Sequence, residues 1–184
     1  MDNPTADVSV RVAWADDAAA IAELQLRAWP ETYAGVLPPE AFPSGPEAVT
    51  AAAAAWRQSF ARPGDARNRV LVALERNRVV GFAIVGPAED PDCDPVRDAE
   101  LREVTIDPGE RGRGHGSRLL QAAADTMLAD RFARSVTWAM ATDDALRVFL
   151  TSAGWAADAA HRELDLDGTG TTRVKQVRLH TALS

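Results

Sequence analysis

A glycine-rich turn between a strand-like segment and a helix-like segment places the strongest constraint on how this chain folds. The turn lies in VTIDPGERGRGHGSRLL, residues 104–120, and contains four glycines from Gly109 to Gly116. Apolar residues then recur at helical spacing. Glycines let backbone N–H groups approach an anion closely, and the first turn of a helix carries partial positive charge. The segment therefore predicts a loop that binds phosphate.

Two familiar phosphate-binding loops do not fit this segment. The dinucleotide-binding motif G-x-G-x-x-G would need its third glycine at Ser117. The P-loop motif G-x-x-x-x-G-K-[ST] needs a lysine, and Lys175 is the only lysine in the chain. Residues 111–116 instead have the pattern R-x-x-G-x-G, with a strand-like run before them and an amphipathic run after them.

Composition limits the classes of protein to which the chain can belong. Its 184 residues are 46% hydrophobic and 26% charged, which is typical of a soluble globular protein. A net charge of −7 argues against general binding of nucleic acid. Cys93 is the only cysteine, which excludes an intrachain disulfide and a Cys-based zinc site. We expect a single cytoplasmic domain over residues 1–184, without a metal, a secretory signal or a membrane span.

Hydrophobic periodicity predicts the element order β-α-α-β-β-β-α-β-α-β-β, which describes a mixed sheet with helices packed on it. The turn around Asn77 joins two of the strands as an antiparallel hairpin. The predicted strands are residues 8–14, 69–75, 79–86, 99–106, 135–140, 161–165 and 174–181; two helices cover about residues 46–60 and 117–129, and the other two begin near Asp17 and Asp143.

The loop spacing, together with three other segments, resembles the GNAT superfamily of N-acetyltransferases. The strand before the loop ends in V-T-I-D-P, and DALRVFLTSAGW resembles the family's A-x-x-x-F-Y-x-x-x-G-F/W segment. Near the N-terminus, AWPETYAGVLP resembles the W-x-x-T-Y-x-G-x-L-P stretch of one branch. The resemblance covers residues 8–181. It implies an α/β (α+β) fold with a twisted, mostly antiparallel mixed sheet of seven strands and four helices, splayed at its central strands.

The resemblance also implies that acetyl-CoA is the co-substrate, and it assigns residues to that molecule. Val104, Thr105 and Ile106 fall where the family's fourth strand pairs with pantetheine. The residues that fall at the pyrophosphate are Arg111, Gly112, Arg113, Gly114, His115, Gly116 and Ser117. Arg113 and Arg118 are also placed to reach the nucleotide phosphates, and the alternative is that either side chain is solvated. His115 holds a variable position and is expected at the rim. Asp143 falls where it would touch pantetheine or cap a helix.

In enzymes of this family the acceptor amine attacks the thioester directly, within a ternary complex. Glu100 lies six residues before Ile106 on one strand, at the spacing of the general base in histone-type members. The resemblance therefore makes Glu100 the candidate base, and the alternative is that it forms a surface ion pair with Arg102. Glu103 is the second candidate, although strict strand alternation places it on the opposite face.

The general acid is the point at which the sequence departs from the family pattern. Counting back from Gly154 puts Leu150 where many members have a tyrosine, and a leucine cannot donate a proton. Either the thiolate leaves unassisted or another group serves, and Tyr33 is the only tyrosine in the chain. The resemblance also places Trp29 and Tyr33, with Glu100, at the acceptor amine. Core packing is the alternative role for Trp29.

The resemblance therefore predicts an N-acetyltransferase that transfers an acetyl group from acetyl-CoA to a primary amine of a small molecule or peptide. One alternative is an acyl-CoA-binding sensor with little or no catalytic activity. Another is an acyltransferase that uses a longer acyl chain or a hydroxyl acceptor. We expect no nucleic-acid or membrane partner, and a homodimer stays open because family members are often dimers.

Overall fold

Strands and helices follow one another in the order that the periodicity predicts. The computed structural model describes residues 7–184. Its strands are β1 (Val8–Val12), β2 (Arg69–Glu75), β3 (Arg78–Pro87), β4 (Asp98–Ile106), β5 (Arg134–Met140), β6 (Ala156–Asp165) and β7 (Arg173–Ala182), and its helices are α1 (Ala18–Thr32), α2 (Gly45–Ala61), α3 (His115–Ala129) and α4 (Asp144–Ser152). The strands form one mixed sheet in the order β1-β2-β3-β4-β5-β7-β6.

Each face of the sheet packs against its own pair of helices. Leu24 of α1 and Trp56 of α2 cover one face around Phe82 of β3. Leu119 of α3 and Leu150 of α4 lie in the larger apolar cluster on the other face. Removal of these apolar stripes from water holds the helices on the sheet. Within residues 7–184, no helix is both long enough and apolar enough to cross a membrane.

Two elements begin two or more residues earlier than the sequence predicts. α3 begins at His115 because Gly114 adopts a φ of 83° and turns the chain directly into the helix. β6 begins at Ala156, five residues before the predicted His161, because pairing with β7 overrides an alanine-rich composition. The register of β6 shifts within this early part, where Ala159 has a φ of 69°. That irregularity hides the alternation on which the prediction depended.

The sheet opens between β4 and β5, which are its parallel neighbours. Their ladder contains three residue pairs, from Asp98 with Arg134 to Glu100 with Val136. Beyond these pairs β4 continues to Ile106 without a partner on the β5 side. The predicted splay of the central strands is therefore confirmed, and it leaves a gap lined by the backbone edges of two strands.

A β-bulge at Arg102 changes which side chains of β4 share a face. Ile84 of β3 is opposite Glu103, and Gly86, two residues further along β3, is opposite Glu100. Three steps along β4 therefore match two steps along β3, and Arg102 is the extra residue. Since residues two apart on β3 point to one face, Glu100 and Glu103 share that face. The prediction that Glu103 points to the opposite face was wrong, because it assumed a regular strand.

Candidate active site

A cavity of about 930 Å³ occupies the gap between β4 and β5. The end of α1, the loop before α3 and the beginning of α4 complete its walls. Most of the site residues suggested by the sequence line it: Trp29, Tyr33, Val104, Thr105, Ile106, Arg111, Gly112, Gly114, His115, Gly116, Ser117 and Asp143. Glu100, Arg113 and Arg118 do not line it.

The glycine-rich loop has a backbone conformation that favours glycine at two positions. Gly112 has a φ of 75° and Gly114 a φ of 83°. Gly116 allows close packing, because a Cβ atom there would lie 3.4 Å from the ring of Phe149. α3 begins at this cavity wall, and the first N–H groups of a helix have no partner within the helix. The loop and the helix start therefore fit a phosphate group.

The arginines of the loop differ in what they contact. Arg111 lines the cavity, and its Nη1 donates to Glu31 Oε2 at 2.8 Å. Arg113 turns away from the cavity, with its Nη2 3.1 Å from Glu75 Oε1. Arg118 donates from Nη1 to the backbone oxygen of Arg113 at 3.2 Å. The Arg113 side chain thus lies outside the cavity, because carboxylates behind the loop hold it.

His115 is buried instead of lying at the rim of the site, with 2% of its surface exposed. The first turn of α3 faces the β2–β3 hairpin, so His115 Nε2 lies 3.1 Å from Glu75 Oε2. Glu110 pairs with both Arg78 and Arg113 in the same network. Glu75, Glu110 and His115 bring potential metal ligands within 4.8 Å of one another, but these arginines already pair with the two carboxylates. The network ties the loop to the hairpin.

Glu103 is the carboxylate of β4 that lines the cavity. Burial raises its pKa, and hydrogen bonds from Thr105 and Trp29 oppose that shift only in part. The Thr105 hydroxyl donates to Glu103 Oε1 at 2.8 Å. A half-buried carboxylate that lines a cavity and has a raised pKa is a candidate general base.

Glu100 lies on the same face of β4 but outside the residues that line the cavity. Burial raises its pKa, and the charge of Arg102 acts in the opposite direction. The Arg102 side chain does not form a hydrogen bond to Glu100; its Nη2 donates to Glu89 Oε1 at 2.8 Å and to the backbone oxygen of Pro87 at 3.1 Å. Pairing of β4 with β5 ends at Glu100, so the gap opens beyond it.

Tyr33 follows α1 and also lines the cavity. Burial raises the pKa of its phenol, and the negative charge of Glu103 raises it further. Its ring lies against Phe42, with the ring centres 6.1 Å apart. The phenol therefore keeps its proton at neutral pH and can donate a hydrogen bond within the cavity.

The rotation of α4 brings Phe149, and not Leu150, to the cavity. Leu150, which the glycine count assigned to the tyrosine position, is 1% exposed and packs in the core with Leu119. Phe149 is the residue that lines the cavity. The rotation of the helix decides this outcome, because neighbouring helical residues point about 100° apart. Asp143 caps the helix by accepting from the backbone N–H of Leu146 at 3.0 Å.

Trp138 of β5 also lines the cavity. Its Nε1 donates to Asp90 Oδ2 at 2.8 Å. The guanidinium of Arg162 stacks on its ring at 4.2 Å from the ring centre. No local pattern marks such a residue, because its position depends on the opening of the sheet.

Arg178 of β7 holds the acidic loop that carries Asp90. Its side chain is 7% exposed and forms two hydrogen bonds with Asp92, at 2.6 Å and 2.7 Å. Its Nε donates to Asp158 Oδ2 at 2.7 Å. These hydrogen bonds raise the pKa of Arg178, so the guanidinium stays charged at every accessible pH. The loop that holds Trp138 is thereby fixed to β6 and β7.

Solved structures of other proteins share this fold over almost the whole chain. The Salmonella typhimurium protein yncA, solved with its cofactor acetyl-CoA, has 18% sequence identity and a TM-score of 0.68, and the match covers 97% of this chain and 95% of that one. An N-acetyltransferase from Staphylococcus aureus Mu50 has 19% identity, a TM-score of 0.70 and coverage of 96% and 99%. The ribosomal-protein-S18-alanine N-acetyltransferase of Escherichia coli has 19% identity, a TM-score of 0.65 and coverage of 96% and 94%.

At the level of sequence, comparison with curated proteins finds no match, but a family model matches most of the chain. The model of the acetyltransferase (GNAT) family matches residues 19–155. That range includes α1 with its aromatic end, the open strand β4, the glycine-rich loop and α4. The chain therefore belongs to the GNAT family of acetyltransferases.

Proposed function

We propose that this chain transfers an acetyl group from acetyl-CoA to a primary amine, by direct attack of the amine within a ternary complex. The observation that carries the proposal is that Glu103, Tyr33 and the glycine-rich loop line one cavity. Acetyl-CoA, when bound, supplies a thioester whose carbonyl carbon an amine can attack. The loop from Gly112 to Ser117 would hold the pyrophosphate, and the open edge of β4 from Val104 to Ile106 would hold pantetheine.

Glu103 removes the proton that keeps the amine from reacting. An ammonium group has no lone pair, so a base must accept its proton before attack. Glu103 lines the same cavity as the loop, and burial raises its pKa toward neutrality. It accepts the proton directly or through one water molecule, which is the ordinary reach of a general base. Glu103 therefore takes the role that the family spacing assigned to Glu100.

Tyr33 stabilises the leaving sulfur. A thiol has a pKa near 8.5, so a thiolate leaves without a full proton transfer. The phenol of Tyr33 has a raised pKa and stays protonated beside it. A hydrogen bond from that phenol to the sulfur takes the place of the proton donor that Phe149 and Leu150 lack. The same ring forms one wall of the acceptor end.

The acceptor end of the cavity suits a positively charged amine. Trp29 and Tyr33 line the cavity together with Glu103, which supplies a carboxylate. Aromatic faces attract cations, and a carboxylate pairs with an ammonium group. The acceptor is an amine of a small molecule or of a peptide. One structural neighbour is named for its action on the alanine of a ribosomal protein, so peptide N-termini belong among the acceptors tested.

Thiol release from acetyl-CoA, measured against polyamines, amino acids and peptides with different N-termini, tests the proposed function. We expect titration calorimetry to show binding of acetyl-CoA and at least one class of amine to accelerate thiol release. Binding without acceleration by any amine would instead support an acyl-CoA-binding sensor. Failure of acetyl-CoA to bind at millimolar concentration would contradict both functions.

Replacing Tyr33 by phenylalanine tests the proposed role of its hydroxyl. Tyr33→Phe removes the hydroxyl and keeps the ring against Phe42. We expect kcat to fall by about 10-fold or more, since one hydrogen bond to a charged group contributes about 1.5–3 kcal/mol. The KM for the amine should change less than kcat. An unchanged kcat in a steady-state assay limited by chemistry would show that the sulfur leaves without help from Tyr33.

A further inference from the structure

Arg111 connects the glycine-rich loop to the helix on the acceptor side. Its Nη1 donates to Glu31 Oε2 at 2.8 Å, and both side chains line the cavity. Glu31 belongs to the last turn of α1, between Trp29 and Tyr33. The two side chains are about half exposed, at 49% for Arg111 and 56% for Glu31. The ion pair therefore lies at the surface of the cavity and joins its two sides.

Arg111 and Glu31 have no second charged partner among the salt bridges within residues 7–184. Arg113, in contrast, pairs with Glu75 and Glu110 behind the loop. Among the arginines of the loop, Arg111 is thus the one that lines the cavity and pairs with a single, exposed carboxylate. Arg111 directly precedes Gly112, the first residue of the loop with a positive φ angle.

We propose that Glu31 competes with the pyrophosphate of the cofactor for Arg111. This inference depends on the proposed function, because it requires that the loop bind coenzyme A. An exposed ion pair is weak and is easily exchanged. A pyrophosphate group held by backbone N–H groups offers the guanidinium a partner with more negative charge and more acceptor oxygens than a carboxylate has. Arg111 therefore leaves Glu31 when the cofactor binds, and the carboxylate of Glu31 becomes free beside the acceptor end.

Exchange of partners at Arg111 has a measurable cost in cofactor affinity. Coenzyme A must break the Arg111–Glu31 pair before it gains the guanidinium. Glu31→Gln removes the competing charge, so we expect it to bind coenzyme A about 2- to 5-fold more tightly in titration calorimetry. Glu23→Gln is the matched control, since Glu23 is an exposed glutamate on the same helix, and its affinity should stay at the wild-type value. Unchanged or weaker binding by Glu31→Gln would overturn the inference.

Two further measurements separate competition at Arg111 from a general effect of negative charge. In an Arg111→Gln background, Glu31→Gln should no longer improve the binding of coenzyme A. Pantetheine lacks the pyrophosphate, so its affinity should be the same for the wild type and Glu31→Gln. Persistence of the improvement in either case would overturn the inference. If the wild type itself fails to bind coenzyme A, the proposed function fails instead, and the two failures are distinguishable.

Discussion

Replacing Glu103 by glutamine is expected to lower kcat/KM for the amine by about 100-fold or more, because general-base catalysis contributes about 10²–10⁴ to a rate. Glutamine keeps the size of the side chain and can still accept the hydrogen bond from Thr105, but it cannot accept a proton. Burial raises the pKa of Glu103, so wild-type activity should fall as the pH drops through that raised pKa and the carboxylate becomes protonated. A pH profile of kcat/KM should show this acid limb in the wild type and lose it in Glu103→Gln.

Glu100→Gln is the control that distinguishes the two carboxylates of β4. Both side chains lie on one face of the strand and both have a pKa raised by burial, yet only Glu103 lines the cavity. We expect Glu100→Gln to keep its acid limb and to retain kcat/KM within about 3-fold of the wild type, well short of the loss of a general base. A large loss in Glu100→Gln together with a small loss in Glu103→Gln would restore the assignment suggested by the family spacing.

Replacing Arg178 by methionine is expected to reduce the free energy of unfolding by about 3 kcal/mol, since removing one partner of a buried ion pair leaves an uncompensated charge. Asp158 is the residue most affected, because its side chain is 15% exposed and Arg178 Nε donates to it at 2.7 Å. In a protein of this size the loss corresponds to a Tm lower by roughly 6–12 °C. Thermal unfolding followed by circular dichroism measures it.

Arg162→Met provides the comparison for Arg178→Met, because both guanidinium groups lie over the ring of Trp138. Arg162 donates to the neutral oxygen of Gln176 at 2.8 Å, so its removal leaves no buried charge behind. We expect a loss of about 1 kcal/mol, which is the size of a cation–π contact or one hydrogen bond. Equal losses in the two variants would show that the carboxylates around Arg178 do not depend on it.

The order of the elements and the position of the loop could be predicted from the sequence, because both depend on local chemistry. Strand alternation and helical spacing mark each element through residues near one another in the chain. The pattern R-x-x-G-x-G places glycine at positions 114 and 116, and the structure has a positive φ at Gly114. The open strands were predicted from the resemblance, and the pairing of β4 with β5 confirms them.

Side-chain directions within the candidate site could not be predicted in the same way, because they depend on contacts between distant segments. The bulge at Arg102 arises where β4 pairs with β3, and no residue type in β4 marks it. The rotation of α4 separates Phe149, at the cavity, from Leu150, in the core, and its packing on α3 determines that rotation. Arg113 turns behind the loop because Glu75, about forty positions earlier in the chain, lies there.

The bulge in β4 determines which face of the sheet each later side chain of the strand occupies. If β4 passed through Arg102 as a regular strand without the bulge, the side chains from Glu103 to Ile106 would exchange faces. Val104 and Ile106 pack against the core cluster that contains α3, so Glu103 and Thr105 would take their places there. A carboxylate would then enter an apolar layer, and two aliphatic side chains would take the face that now carries the carboxylate. The bulge at Arg102 thus keeps the polar and apolar sides of this strand from being interchanged.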